Sequence, residues 1–241
     1  MLSSVANPQI KNLLKLHQKK YRTDSNTFLV EGEHLISEAI MAGRLKQLIK
    51  SEQYEGEISY DNELLVSETV ASKLSQTASG SKIFGVVSIE LDQKLTGTHY
   101  LLCDQIQDPG NLGVMIRSAH SFGFDGVIVS NDSVDFYNDK VVRATQGALF
   151  HVALVRMDLK QAIKQLKQNG IRIVTTDVNR ATSLKSVEKG PVALIVGNEG
   201  QGVSESLRSM SDFNVKIETT NFESLNVSVA SGILMYHFRN E

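Results

Sequence analysis

The sequence predicts an α/β protein: a mostly parallel sheet in the larger C-terminal part, with a smaller α/β unit ahead of it. Three observations carry that reading. From His99 onward, short apolar segments alternate with helical stretches, the pattern of a sheet covered on both faces. A polar stretch, Leu91 to Thr98 (LDQKLTGT), separates this pattern from a shorter one before it. Glycines at 43, 123, 147 and 170 stand where helices need a residue tolerant of left-handed geometry.

Taken in order, Asn7 and Pro8 form an N-cap and first helical position, and Ile10, Leu13 and Leu14 recur at helical spacing. On that helix Lys11, Lys15 and Lys19 stand four apart, one cationic stripe. Phe28 to Val30 reads as a strand, Glu33 to Ala42 as a helix, and Leu48-Ile49 and Ile83 to Val87 as further strands. Beyond the polar stretch come a strand at Tyr100 to Cys103, a glycine loop and a helix ending near Gly123. Then follow a strand at 126–129, a helix at about 138–147 and a strand at 151–155. The helix Asp158 to Asn169 turns Ile163 and Leu166 inward. Strands at 171–175, 192–196 and 215–217 precede a closing helix from about Ser224 to Phe238.

Composition narrows the function. The chain has 241 residues, 41% hydrophobic and 22% charged, as in an ordinary soluble protein. Its apolar runs are too short for a bilayer and its start does not resemble a signal sequence, so a cytoplasmic protein is expected. A lone cysteine, Cys103, excludes an intrachain disulfide framework and a cysteine-cluster zinc site. The scattered histidines suggest no metal. Net charge is −2, yet residues 1–50 carry about +4, and the first 23 residues hold five basic side chains and no acid. Lys11, Lys15, Lys19, Lys20 and Arg22 are therefore candidate phosphate contacts, against the plainer alternative of a solvated helix face.

No Gly-Lys pair, G-x-S-x-G elbow or H-E-x-x-H occurs, and Gly197 to Gly202 reads G-N-E-G-Q-G, not the dinucleotide order G-x-G-x-x-G. Three other segments stand out. Arg117 is the only charge between Asp108 and Asp125, Glu199 the only one between Lys189 and Glu205, and none lies between Glu223 and Arg239. Isolated charges beside glycine loops in apolar surroundings suggest a shared polar site.

Those segments resemble the three signature motifs of the SpoU/TrmH family of RNA ribose 2′-O-methyltransferases, within the SPOUT superfamily. They are Asn111, Gly113 and Arg117; Gly197-Asn198-Glu199-Gly200; and Ser224 to Ala230. The first 90 residues resemble the family's RNA-binding extension, similar in fold to ribosomal protein L30e, through Asn7, Ile10-Lys11, Leu16, Arg22 and Phe28 to Gly32. The resemblance implies an RNA substrate-binding domain at 1–92, a linker at 93–98 and a methyltransferase domain at 99–241 whose C-terminal segment forms a trefoil knot. It implies S-adenosylmethionine as cofactor, held by Thr175 or Thr176, Gly197, Asn198, Gly200, Ile217, Leu225 and Asn226. Glycines 197 and 200 would let the main chain approach that ligand. After Ile217 the family usually has proline and methionine; this chain has Glu218 and Thr219.

The resemblance also makes Asn111, Arg117, Glu199, Ser224 and Asn226 catalytic. Arg117 cannot readily act as a base, since guanidinium stays protonated, so a phosphate clamp that stabilises a developing alkoxide is the better role. Asn111 would orient Glu199 or the substrate, and Glu199 would hold Asn111 and Arg117. Each has a plainer alternative: Asn111, Ser224 and Asn226 as helix caps, Glu199 as a turn residue, Arg117 as an exposed arginine. In the last helix Leu225, Val229 and Ile233 make an apolar seam, and Ser228, Ser231 and Gly232 permit close approach of another backbone. The family forms homodimers there. Ribosomal RNA is the expected substrate; transfer RNA, or an RNA-binding assembly factor without catalysis, are the alternatives.

Overall fold

The computed structural model describes residues 1–91, 93–176, 182–221 and 225–239. Its chain divides into two compact units, Met1–Asp92 with Tyr137–Phe150, and Gln93–Phe136 with His151–Glu241.

The first unit contains α1 (Pro8–Lys15), α2 (Lys19–Ser25), β1 (Thr27–Glu31), α3 (Glu33–Met41), β2 (Leu45–Ser51), β3 (Glu63–Val66), α4 (Glu68–Leu74) and β4 (Ile83–Ser88). Its sheet has the order β1-β4-β2-β3. One face is sealed by Ile10 and Leu13 of α1 and Val70 and Leu74 of α4, packed with Ile49, Val66 and Phe84. The Asn7 side chain accepts from Gln9 N, so the predicted cap starts α1 as expected. The cationic stripe is shorter than its spacing implied. The α1 helix ends at Lys15, and Lys19 opens a separate helix.

The second unit is built on seven parallel strands. From residue 99 onward the chain gives β5 (His99–Asp104), α5 (Pro109–Ser121), β6 (Gly126–Val129), α6 (Asp139–Thr145, in the first unit), β7 (Ala153–Arg156), α7 (Leu159–Gln168), β8 (Arg172–Thr176), β9 (Thr182–Ser183), β10 (Val192–Gly197), α8 (Glu205–Arg208), β11 (Phe213–Lys216) and α9 (Val227–Phe238). The sheet order is β7-β6-β5-β10-β8-β11-β9, every pairing parallel. Strands β5, β6 and β10 are buried throughout, which explains their unbroken apolar sequence: both faces are covered. On one face Tyr100, Leu102 and Ile128 pack with Leu159, Ile163 and Leu166 of α7 and Leu207 of α8. On the other lie α5 and α9, in contact with each other. There Ser231 Oγ sits 3.1 Å from Met115 Sδ, the close approach its small side chain allows.

Residues 137–150, read from sequence as part of the second pattern, pack with the first unit. Phe28, fully buried, has its ring 4.8 Å from Tyr137 and 6.4 Å from Phe150. Arg143 bridges Glu31 at 3.3 Å and Asp139 at 3.1 Å. The stretch 93–98 is likewise held by the second unit. Leu95 packs against its core, the Gln93 side chain accepts from Leu154 N, and Thr98 N donates to Asp125.

Two boundaries differ from expectation. The last helix begins at Val227, with Asn226 as its cap: the Asn226 side-chain oxygen accepts from Ser228 N at 2.9 Å. Ser224 lies outside the described residues. Ile217 falls just beyond β11.

Candidate active site

Strands β5, β6 and β7 step outward in one direction, whereas β8 lies on the far side of β10. The loops after β5 and β10 therefore leave neighbouring strand ends at a topological switch point, where parallel sheets open a crevice for ligands. Asn198 Nδ2 donates to Gln105 O at 3.1 Å across this opening. Gln105 has φ 55°, a left-handed backbone uncommon for a non-glycine residue, and its N–H donates to Ser130 Oγ at 2.9 Å.

The β10 loop is tightly wound. Asn198 bridges Gly202, and the Asn198 side-chain oxygen accepts from Gly200 N at 2.9 Å and Gln201 N at 3.3 Å. A Cβ on Gly197 would stand 2.1 Å from the Gly202 carbonyl carbon and 2.2 Å from Val203 N. Residue 197 must thus be glycine for the loop to fold back upon itself, a different reason from the ligand approach expected of it. The loop then continues to Ser204, whose N–H donates to Asp104 at 2.9 Å.

Glu199 is presented at the tip. Asn111 Nδ2 donates to its Oε1 at 2.8 Å, and Asn226 Nδ2 donates to Asn111 Oδ1 at 3.1 Å. Asn226 Oδ1 in turn accepts from Ser228. Each amide has its orientation fixed by these partners. Asn111 is not the cap of α5; Asp108 is, accepting from Asn111 N at 2.7 Å. Asn226 does both jobs, capping α9 and joining the chain. Among the described residues, Glu199 Oε2 has no donor.

Arg117 is not part of this group. It stands six residues after Asn111 on α5, so the two are roughly 120° apart around the helix and about 9 Å along it. Arg117 is exposed, on the same side as Val114, and among the described residues its guanidinium has no partner. The α9 helix, which packs against α5, exposes Val229 (51%), Ile233 (39%) and Tyr236 (56%) at helical spacing, and Phe122 meets Tyr236 edge-on at 5.8 Å. The seam read from sequence is therefore an open surface of this chain.

The expected cofactor residues lie at adjacent strand ends. Ile195 of β10 pairs with Thr175 of β8, and Thr176 pairs with Val215 of β11, so Gly197, Thr176 and Ile217 are close in level. Thr175 is fully buried and its hydroxyl has no hydrogen-bond partner among the described residues, while Thr176 and Ile217 are half-buried and Leu225 is 38% exposed. An unpaired buried hydroxyl, half-open apolar side chains and returning main chain suit a nucleoside with an apolar face and a polar edge. Cys103 is no rival nucleophile, since full burial pushes its thiol pKa well up.

In the first unit Lys11, Lys15, Lys19 and Lys20 are exposed, and Lys15 and Lys20 flank the Tyr21 ring at 5.5 and 5.9 Å. Arg22 must be corrected. It is 5% exposed, and its guanidinium donates to Leu16 O and His17 O, both at 2.9 Å, fastening the turn between α1 and α2. Arg22→Ala is expected to cost about 1–3 kcal/mol by stranding those carbonyls. A thermal melt would show a midpoint lower by a few degrees, with RNA affinity of the folded protein unchanged.

Sequence reading missed Asp104, Gln105 and Tyr21. Asp104 ends an apolar strand, a signal that could have been noticed; nothing in a glutamine announces a positive φ.

Residues 98–236 match the model of the SpoU rRNA Methylase family, and residues 7–85 that of the MRM3-like substrate binding domain. The chain is 37% identical to the 23S rRNA (guanosine(2553)-2′-O)-methyltransferase RlmP of Bacillus subtilis, over 99% of this chain and 98% of that protein. The AdoMet-bound rRNA methyltransferase from Sinorhizobium meliloti superposes with a TM-score of 0.86 at 26% identity, covering 98% of this chain and 95% of that one. The A. aeolicus TrmH/SpoU tRNA modifying enzyme covers only 58% of this chain and 74% of its own, with a TM-score of 0.52 at 25% identity. The family model spans more than half of the chain and the Bacillus subtilis relative matches nearly all of both sequences, so the chain belongs to the SpoU rRNA methylase family.

Proposed function

We propose that this protein methylates the ribose 2′-oxygen of a guanosine in large-subunit ribosomal RNA, the position corresponding to the one in the name of its Bacillus subtilis relative. The observation that carries this is the hydrogen-bonded series Glu199–Asn111–Asn226, which gathers residues 88 and 115 positions apart. Full-length similarity to ribosomal enzymes, against partial similarity to the transfer-RNA enzyme, favours ribosomal RNA.

S-adenosylmethionine, when bound, supplies a methyl group activated by its sulfonium. Thr175, Thr176, Gly197, Asn198, Gly200, Ile217, Leu225 and Asn226 would hold it. Glu199 does the orienting: one oxygen is committed to Asn111, and the other accepts the ribose hydroxyl, aligning its oxygen for in-line attack. Only RNA offers that hydroxyl. The hydroxyl proton passes toward the Glu199 carboxylate as the oxygen bonds to carbon, and the negative charge left on the oxygen as that proton departs is what a nearby cation stabilises.

Arg117 supplies it from a second copy. Arg117 and Val114 are exposed on α5, and Val229, Ile233 and Tyr236 on α9, which packs against α5; exposed apolar side chains accompanied by a cation suit a two-fold contact. Pairing of two chains there delivers each Arg117 to the other's Glu199. Lys11, Lys15, Lys19 and Lys20 add phosphate affinity tolerant of sequence. The trefoil knot belongs to the same proposal, supported by the placement of β10 between β5 and β8, both earlier in the chain. So does a cytoplasmic location; among the described residues no helix is long and apolar enough to cross a membrane. No cluster of metal-ligating side chains occurs among them either.

Ribose-methylation mapping of ribosomal RNA from a strain lacking this protein tests the proposal. Loss of one 2′-O-methylguanosine, restored by the intact protein alone, is the expected result. An unchanged map would refute it.

A further inference from the structure

On the side of the Asn198–Gln105 bridge away from the cofactor residues, the carboxyl ends of β5, β6 and β7 and residues 204–207 line an open cavity of about 190 Å³. Its lining is strongly polar: Asp104, Gln105, Asn131, Asp132, Asp158 and Lys160 contribute, with serines and only two leucines. Resting on the ribose-methyltransferase reading, we propose that this cavity receives the nucleobase of the target nucleotide and selects guanine.

The position comes first. Gln105 belongs both to the cavity wall and to the crevice, since its carbonyl accepts from Asn198, the residue before Glu199. Residues 204–207 of the opposite wall continue directly from the loop that carries Glu199. A nucleotide with its ribose at Glu199 therefore has this cavity within reach of its base.

The cavity is also built in advance. Arg156 donates to the main-chain oxygens of Ser130, Asn131, Ser133 and Val134 at 2.6–3.0 Å, pinning the loop after β6. Ser130 Oγ bonds Ser133 Oγ at 2.9 Å and accepts from Gln105 N, so the left-handed Gln105 is held from two sides. Walls fixed in this way can read a flat ring without reorganising.

The unmet hydrogen-bonding capacity decides the ligand class. Asp104 is 5% exposed, and one carboxylate oxygen takes the Ser204 N–H. Its other oxygen has no donor among the described residues. A buried carboxylate calls for more donors than one. Asp132 and the Gln105 amide also carry side chains without a hydrogen bond among the described residues. Three carboxylates against one cation, Lys160, leave the lining net negative and disfavour a phosphate. They equally disfavour uracil, whose edge holds one N–H between two carbonyls. Guanine offers adjacent N1–H and N2–H donors that a single carboxylate accepts side by side. Cytosine and adenine offer only an amino group next to an acceptor nitrogen.

The test uses the full-length protein with S-adenosylmethionine and synthetic 23S rRNA fragments bearing guanosine, inosine or adenosine at the position equivalent to 2553. Inosine lacks only the 2-amino group. Wild type is expected to lose on the order of tenfold or more in kcat/KM on inosine and adenosine. In Gln105→Ala and Asp132→Asn, kcat/KM on guanosine should fall while the guanosine-to-inosine ratio collapses toward one, with S-adenosylmethionine affinity unchanged. Asp104→Asn should do the same if it folds; the other two variants decide the matter if it does not. Equal turnover of all three RNAs by wild type, or variants that lose rate with the ratio intact, would overturn the base pocket alone. Absence of methyl transfer to any of them would overturn the reading beneath it as well.

Discussion

Arg117→Ala is expected to lower methyl transfer by about 10²–10³-fold, the usual cost of removing one group that stabilises charge in the transition state. S-adenosylmethionine affinity should be unchanged, because Arg117 is asked to stabilise charge on the ribose oxygen and is not among the residues that would hold the cofactor. The Arg117 side chain is exposed and has no partner among the described residues, so the thermal midpoint should be unaltered. The sharper result concerns mixing. Glu199→Gln should be similarly inactive, yet exchange of the two inactive proteins should restore activity to about a quarter of wild type, since a mixed dimer holds one site with both defects and one with neither. A mixture no more active than its parents would place Arg117 at the wrong site or remove the dimer.

Gly197→Ala should abolish cofactor binding. The added methyl would lie 2.1 Å from the Gly202 carbonyl carbon and 2.2 Å from Val203 N, and both are main chain with no rotamer to give way. Relief requires opening the 198–202 loop, at a cost on the order of 3 kcal/mol or more. The same movement displaces Asn198 from Gln105 and Glu199 from Asn111. Calorimetry should show no S-adenosylmethionine binding by a protein whose far-ultraviolet circular dichroism is near wild type. Retention of wild-type affinity would mean that the loop's return upon Gly197 does not shape the cofactor site. Gly200→Ala provides the contrast, as its Cβ would meet only Asn198 Oδ1, at 3.5 Å.

The central residues were legible because burial leaves a compositional trace. Asn111, Glu199 and Asn226 sit in stretches almost empty of charge, and an α/β sheet covered on both faces explains that emptiness. What sequence could not separate was the use of similar residues. Arg22 and Lys20 look alike in a basic segment, yet one is buried against carbonyls and the other is exposed beside Tyr21. The break between α1 and α2 carries no glycine or proline, since Leu16 to Gln18 ends the helix through tertiary packing of Leu16 and the Arg22 bonds. The β3–α4 pair was unread because its strand spans four residues, too few to show a period. Arg117 was grouped with Glu199 by motif, whereas helical geometry turns it outward. The polar cavity drew its lining from four separate strand-end segments, a gathering no local pattern records.

The crossing of residues 137–150 into the first unit also orders events during synthesis. Although the first 92 residues leave the ribosome first, Phe28 and Glu31 lack Tyr137, Arg143 and Phe150 until residues 93–136 of the second unit have been made. The amino-terminal part thus waits, incompletely sealed, for chain that is translated later. A nascent product cut before residue 137 therefore lacks the segment that closes the first unit.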